Sequence, residues 1–473
     1  MKENAEPIKM NNTDFKKMVA PYKEEALKTW KEIVSIPSVL DPETKTEQMP
    51  FGKGVEESLA YVARLGEKLG FKVNRCDNYV TELTYGEGDK IFDIYGHCDV
   101  VPVEKEKWTH DPFELTLVDG NTMYGRGSSD DKGPAIACLY AVKALMDNHL
   151  LGGYKLRFLF GGNEENDSLC LEHYFHTMKK EYPTLGISPD AEYPLIYAEK
   201  SIYAYEADYD ISLPHVKDFK LGAALNIVLA EAACEIDDDE NKVKEALAIY
   251  LEKHQEVKAS FENGKLLFLG KPYHGSMPWN GVNAGLHMLH FLGELYQEKT
   301  LLTIYENYKD GMGEAFGGNF KDKDFSETSY NIGRISFTGN KLSLFVNLRF
   351  PAPLSSDDVL SFIEKKTGAK LTKLGGSDGF VTDKDSDFIR ILLNAYQKET
   401  GDVVSAPLAI GGGTYARESR NSVAYGAQFV GRDYRMHGHD EFFPLSDFYD
   451  NMQIYAHAIF DISEYLRAGK KPF

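Results

Sequence analysis

The chain has 473 residues, 42% of them hydrophobic, and a formal charge of −20. A chain this long exceeds one ordinary core, so two domains are expected. The acidic balance, with no Lys/Arg-rich face to offset it, argues against nucleic acid or an anionic membrane as partner and favours a small substrate. The N-terminus MKENAEPIKMNNTDFKK has no apolar stretch of the signal-peptide kind, and no run approaches the roughly 18 apolar residues of a membrane span. Five cysteines (Cys76, Cys98, Cys138, Cys170, Cys234), an odd number without C-x-x-C spacing, fit reduced thiols. A cytoplasmic protein is expected.

Thr13 to Ile36 has helical periodicity, with Thr13 as candidate cap, and Glu56 to Leu69 is a second amphipathic helix closed by Gly70. Phe71 to Arg75, Tyr79 to Leu83 and Ile91 to Val101 read as strands, the last apolar enough to be buried on both faces. Helix Pro134 to Asn148 and strand Tyr154 to Phe160 continue an alternation that predicts an α/β domain, its largely parallel sheet flanked by helices. From about Ala198 the pattern becomes α+β. YAYEADYDISL alternates, Gly222 to Cys234 and Asn241 to His254 look helical, and two hairpins turn at Asn263-Gly264 and Gly339-Asn340. After Gly376 the first pattern returns, with helix Ser386 to Glu399, strands VVSAPLAI and AYGAQFVG around the loop GGGTYAR, and helix Leu445 to Ala468. The expected organisation is a catalytic domain (1–197 and 377–473) interrupted by an inserted lid (198–376). The acidic run Glu235 to Asn241 reads as a solvated loop.

Five short segments carry residues of metal-ligand type: His97 in YGHCDVVP, Asp130 in GRGSSDDKG, Glu164 and Glu165 in GGNEEN, Asp190 in SPDAEYP, and His437 in MHGHDE. Each has a bland alternative. His97-x-Asp99 can be a structural histidine, Asp130 or Asp131 a helix cap, the glutamates a solvated corner, Asp190 a turn residue, and His437-x-x-x-Glu441 an exposed loop. All five alternatives holding together is improbable. Along a strand, residues i and i+2 point the same way, so Asp99 is expected to approach the His97 ring and leave its other nitrogen for a metal. Of the two glutamates, one can bind an ion and the other take a proton from water. Oxygen and imidazole donors without thiolate suit Zn²⁺, Mn²⁺ or Co²⁺.

These motifs, in this order, resemble the co-catalytic metallopeptidases that include aminoacylases, glutamate carboxypeptidases and carnosinases, and within them the bacterial dipeptidase V type. The resemblance runs from SIPSV (Ser35 to Val39) to the last helix. It implies that His97 and Asp190 bind one divalent metal, zinc before manganese or cobalt, that Glu165 and His437 bind a second, and that Asp130 bridges both. Asp99 would orient His97, Glu164 would be the general base for a metal-bridging hydroxide, and the peptide bond after Asp130 would be cis. In the insert it implies that Asn226 contacts substrate, His274 reaches over the metals and Arg349 holds a carboxylate, with Gly412, Gly413, Thr414 and Arg417 near the substrate. Without the resemblance, those insert residues would read as a water-facing helix residue, a loop histidine and a surface pair partner.

Leu229-Ala230, Asn163 and Trp279 depart from the family pattern, which touches substrate fit and leaves the ligands intact. The implied activity is hydrolysis of short unblocked dipeptides, with an N-acyl-amino-acid or succinyl amidohydrolase as the alternative and a non-catalytic metal-binding protein as a third reading. The insert is longer than one ferredoxin-like lid needs, and the resemblance implies a doubled lid, hence a monomer, closing over the metals for turnover.

Overall fold

The computed structural model describes residues 13–166 and 168–469. Most of the N-terminal segment read above for a leader peptide lies outside them. Among the described residues no helix is long and apolar enough to cross a membrane. The fold is mixed α/β and divides into two compact units, 1–197 with 382–408 and 414–473, and 198–381 with 409–413.

In the first unit four central strands run parallel, in the order Lys155–Gly161, Ile91–His97, Leu185–Ser188, Ser422–Ala424. Val80–Tyr85 and Lys72–Asn74 extend one side antiparallel. Every residue of Ile91–His97 is buried, as its apolar run requires of a strand covered on both faces. The strand ends at His97, four residues earlier than its composition suggests. Helix Lys132–Asp147 is buried along nearly its whole length and packs beside Leu445–Arg467. Lys53–Leu69 ends on Gly70 at φ 93°, the left-handed position that terminates a helix without a Cβ clash. The N-terminal helix is capped by Asp14, whose carboxylate accepts the Lys17 N–H, in place of Thr13.

Two short pairings draw distant loops together. Phe442–Pro444 adds antiparallel to Thr122–Tyr124, and Ala191–Glu192 runs parallel to Ala427–Gln428. Two C-terminal strands are shorter than expected. VVSAPLAI is a strand only at Leu408–Ile410, because Asp402 caps the Val404 and Ser405 amides and leaves Val403 and Val404 in solvent. AYGAQFVG splits into Ser422–Ala424 and Ala427–Gln428 around Gly426.

The second unit has a five-stranded antiparallel sheet, Phe219–Leu221, Ser329–Thr338, Lys341–Phe350, Ser201–Asp210 and Lys370–Ser377 in spatial order. A second sheet orders Glu231–Glu235, Lys265–Leu269 and Lys258–Glu262. One apolar core joins the two sheets and the helices Glu240–Lys253, Ala284–Tyr296, Lys299–Tyr308 and Ser356–Thr367. Asn263 and Gly264 turn the small hairpin at φ 51° and 76°, the backbone an Asn-Gly pair supplies. Gly222 to Cys234 is not helical. Its Ala-rich end pairs with Lys265–Leu269 and buries Ala232 and Cys234 at a period of two, so strand pairing overrides helix propensity.

Candidate metal centre

In the first unit, the parallel strands deliver three of the segments. His97 ends one central strand, Glu164 and Glu165 follow the strand Lys155–Gly161, and Asp190 follows Leu185–Ser188. Open α/β sheets gather ligands at such carboxyl ends because the loops there converge. Asp130 precedes the helix Lys132–Asp147, and its peptide bond to Asp131 is cis. His437 arrives from a loop tied to the Thr122–Tyr124 strand and takes a left-handed φ of 60°.

Each oxygen of Asp130 meets a different imidazole. Oδ1 lies 2.9 Å from His97 Nε2, and Oδ2 lies 2.8 Å from His437 Nε2. His437 Nε2 is also 3.0 Å from Glu165 Oε2, and His97 Nε2 is 3.7 Å from Asp190 Oδ2. His97, Asp130 and Glu165 each offer one donor atom within 4.8 Å of the others, and so do His97, Glu164 and Asp190. Glu164 therefore stands within reach as a ligand as well as a base.

His97 Nδ1 donates to the backbone carbonyl of Asp99 at 2.9 Å, while the Asp99 carboxylate is 3.5 Å away. Asp99 meets the ring through its carbonyl in place of the expected carboxylate, because it lies beyond the strand and escapes its alternation. The carboxylate instead accepts the Glu164 and Glu165 amides, each at 3.0 Å. A carbonyl can only accept, so the Nδ1 proton is fixed and the His97 Nε2 lone pair faces the Asp130 and Asp190 carboxylates. Lone pair against carboxylate is repulsive unless a cation or a proton lies between them.

The electrostatics point the same way. Burial, then the charge of Asp190, pushes Glu164 well above the ordinary carboxylate range. Burial and the charge of Asp130 raise Glu165 and Asp190 each to about 7. Burial disfavours charge on the histidines too, but hydrogen bonds to carboxylates outweigh it and carry His437 up to about 11 and His97 well above its usual value. So much buried negative charge calls for cations, and the nitrogen and oxygen donors suit borderline or hard divalent ions.

The model for peptidase family M20/M25/M40 matches residues 94–461, a span that includes every one of these candidate ligands. The chain belongs to this family. It is a metallopeptidase. "Putative dipeptidase YtjP" of Bacillus subtilis (strain 168) is 31% identical over 93% of this chain and 98% of its own length. "Putative dipeptidase" of Staphylococcus epidermidis (strain ATCC 12228 / FDA PCI 1200) is 32% identical over 94% of this chain and 98% of its own. Among solved structures, the di-peptidase Dug1p of Saccharomyces cerevisiae superposes with a TM-score of 0.58 at 15% identity, covering 95% of this chain and 98% of that one. The M20 family metallo-carboxypeptidase Sso-CP2 of Sulfolobus solfataricus gives 0.57 at 18% identity, covering 93% and 99%. At these identities the two structures establish the fold.

Three residues that support this centre were given no such role by the motif reading. Glu441 is fully buried and accepts from Arg126 Nη1 at 2.6 Å, from the Gly127, Ser129 and Asp130 amides at 3.2, 2.9 and 3.2 Å, and from Ser129 Oγ at 3.0 Å. Arg126 is its buried counter-charge, and Asp131 Oδ2 accepts the His97 amide at 3.2 Å. Glu441 stood in the H-x-x-x-E motif, but only burial reveals its role.

In the second unit, Asn226 and His274 occupy adjoining loops. Ile227 bridges His274, Gly275 N–H donates to the Asn226 carbonyl at 2.7 Å, and His274 Nδ1 lies 2.7 Å from Ser276 Oγ. Asn226 thus sits in a loop outside any helix. Arg349 is buried, with Nε donating to Asn347 Oδ1 and Nη1 to the Gly411 carbonyl, next to Gly412 and Gly413. Thr414 and Arg417 belong to the first unit, where Thr414 caps the short helix Tyr415–Glu418.

Proposed function

We propose that this metallopeptidase is a dipeptidase that hydrolyses short unblocked dipeptides, β-alanyl ones among them. The observation that carries the reading is Asp130, whose two oxygens face His97 and His437 at 2.9 and 2.8 Å and so suit a carboxylate shared by two ions. The names of the relatives add support for the substrate class. His97 and Asp190 would hold one ion and Glu165 and His437 the other, with zinc as first choice and manganese or cobalt as alternatives. Two such ions would polarise the scissile carbonyl and make water a stronger acid.

Glu164, half-buried beside these ligands and with its proton affinity raised by burial and by the charge of Asp190, acts as a carboxylate that takes a proton from the attacking water and passes it to the leaving amine. Asp99 keeps that base in register with His97, since it grips the ring by its carbonyl and the glutamate amides by its carboxylate. His274 stabilises the developing oxyanion, and Arg349 receives the substrate's terminal carboxylate. Asn226, Gly412, Gly413, Thr414 and Arg417 position the peptide. These substrate-contacting roles rest on the sequence resemblance. The inserted unit serves as a lid, and the protein works as a monomer in the cytoplasm, where its five buried free cysteines stay reduced.

Apo protein refilled separately with Zn²⁺, Mn²⁺ and Co²⁺ is assayed on free dipeptides and on N-acyl amino acids. Dipeptide turnover is expected. Turnover of the acyl compounds alone would make the chain an amidohydrolase. Glu164→Gln is expected to lower kcat by about 100-fold or more with both ions retained.

A further inference from the structure

A second cluster of donors lies wholly within the inserted unit. The helix Glu240–Lys253 ends at His254, Glu256 follows two residues on, and His287 lies in the first turn of the helix Ala284–Tyr296. His254 Nδ1 is 3.2 Å and His287 Nε2 is 3.5 Å from the same oxygen, Glu256 Oε1. The three residues offer donor atoms that all lie within 4.8 Å of one another. A tetrahedral zinc with bonds of about 2.0–2.1 Å spaces its ligand atoms roughly 3.3 Å apart, close to both values. A hydrogen bond accounts less well for the longer one, since N–H···O bonds run about 2.7–3.2 Å.

The surroundings fix the ring. Tyr250 Oη lies 3.1 Å from the His287 carbonyl, 3.0 Å from His287 Nδ1 and 3.3 Å from His290 Nδ1. With the hydroxyl proton directed to the carbonyl, which can only accept, His287 Nδ1 donates to the phenolic oxygen, the tautomer that a metal on Nε2 requires. That leaves the Nε2 lone pair aimed at a carboxylate, the same opposition seen at His97. His287 is buried while Glu256 is exposed, which gives an ion a path in and lets water take the fourth position.

We propose that His254, Glu256 and His287 form a further zinc site, one that joins the end of the first helix to the start of the second. The site is independent of the peptidase ligands. Untagged full-length protein is dialysed against micromolar free Zn²⁺ and its bound metal counted by mass spectrometry, alongside His254→Ala and Glu256→Gln. Both variants change groups near the surface, so the fold survives. Wild type is expected to bind one equivalent more than either variant, with hydrolysis unchanged in both. Tyr250→Phe, which removes the partner of His287 Nδ1, is expected to weaken that equivalent by about 10–100-fold. Equal metal counts in wild type and both variants overturn the proposal. Because the count is a difference between proteins, it holds or fails whatever number of ions the peptidase centre takes.

Discussion

Glu441→Gln tests whether a buried charge, rather than shape, holds the Asp130 loop. Gln keeps one accepting oxygen and replaces the other with an NH₂. If the oxygen faces the Ser129 and Asp130 amides, the NH₂ faces the Arg126 guanidinium and the Gly127 N–H, donor against donor. The flipped rotamer only exchanges the victims. Arg126 is 2% exposed, so its charge cannot recover its loss from water. Breaking a buried pair by neutralising one partner costs about 3–5 kcal/mol. Arg126 Nη2 keeps the Gly438 carbonyl at 3.1 Å, which places this case near the lower end.

The variant should therefore lose about 3 kcal/mol of unfolding free energy, read by urea denaturation of the metal-free protein. Its zinc affinity, read by competition with a chelator, should fall about 10–100-fold because Asp130 loses the support of its amide. The double variant Arg126→Met/Glu441→Gln should regain part of the stability, since no unpaired charge remains. A loss under about 1 kcal/mol together with unchanged zinc affinity would refute the reasoning.

His274→Ala should lower kcat by about 100-fold or more while metal content stays normal, and unchanged turnover removes His274 from the mechanism. His457 lies between Glu399 and Asp461; burial lowers its pKa, but the hydrogen bonds to these carboxylates raise it more, above 6.5 overall. A raised folded pKa means its stabilisation is complete below pH 6.5 and is lost as pH rises through the higher value. The urea midpoint of wild type should thus fall over that rise relative to His457→Phe, which keeps the stack on Phe15, and parallel curves would exclude the effect. Gly264→Val forces a β-branched residue to φ 76° and should destabilise the inserted unit by about 1–2 kcal/mol, seen as a lower melting temperature.

Several features of the centre and of the fold were legible because they are local. The donor types, the apolar strand leading into His97 and the Asn263-Gly264 turn all follow from side chain and backbone within a few residues. Others were not. Asp99 reaches His97 by its carbonyl because the strand stops at His97, and no periodicity marks that end. Nothing adjacent to Glu441 says that it is buried or that Arg126 lies against it. Gly222 to Cys234 looks helical because alanine favours helix, until Lys265–Leu269 offers Glu231–Glu235 a ladder.

The sequence by itself determined which chemistry was available: imidazoles and carboxylates without thiolate, held on an alternation of strands and helices. Tertiary structure decided that these groups meet. Thr122–Tyr124 finds Phe442–Pro444 and brings His437 to Asp130, while Ala191–Glu192 finds Ala427–Gln428 beside the Asp190 loop. Strand pairing joins residues that are hundreds of positions apart or separated by a whole inserted unit, and its energy depends on partners that no local pattern specifies.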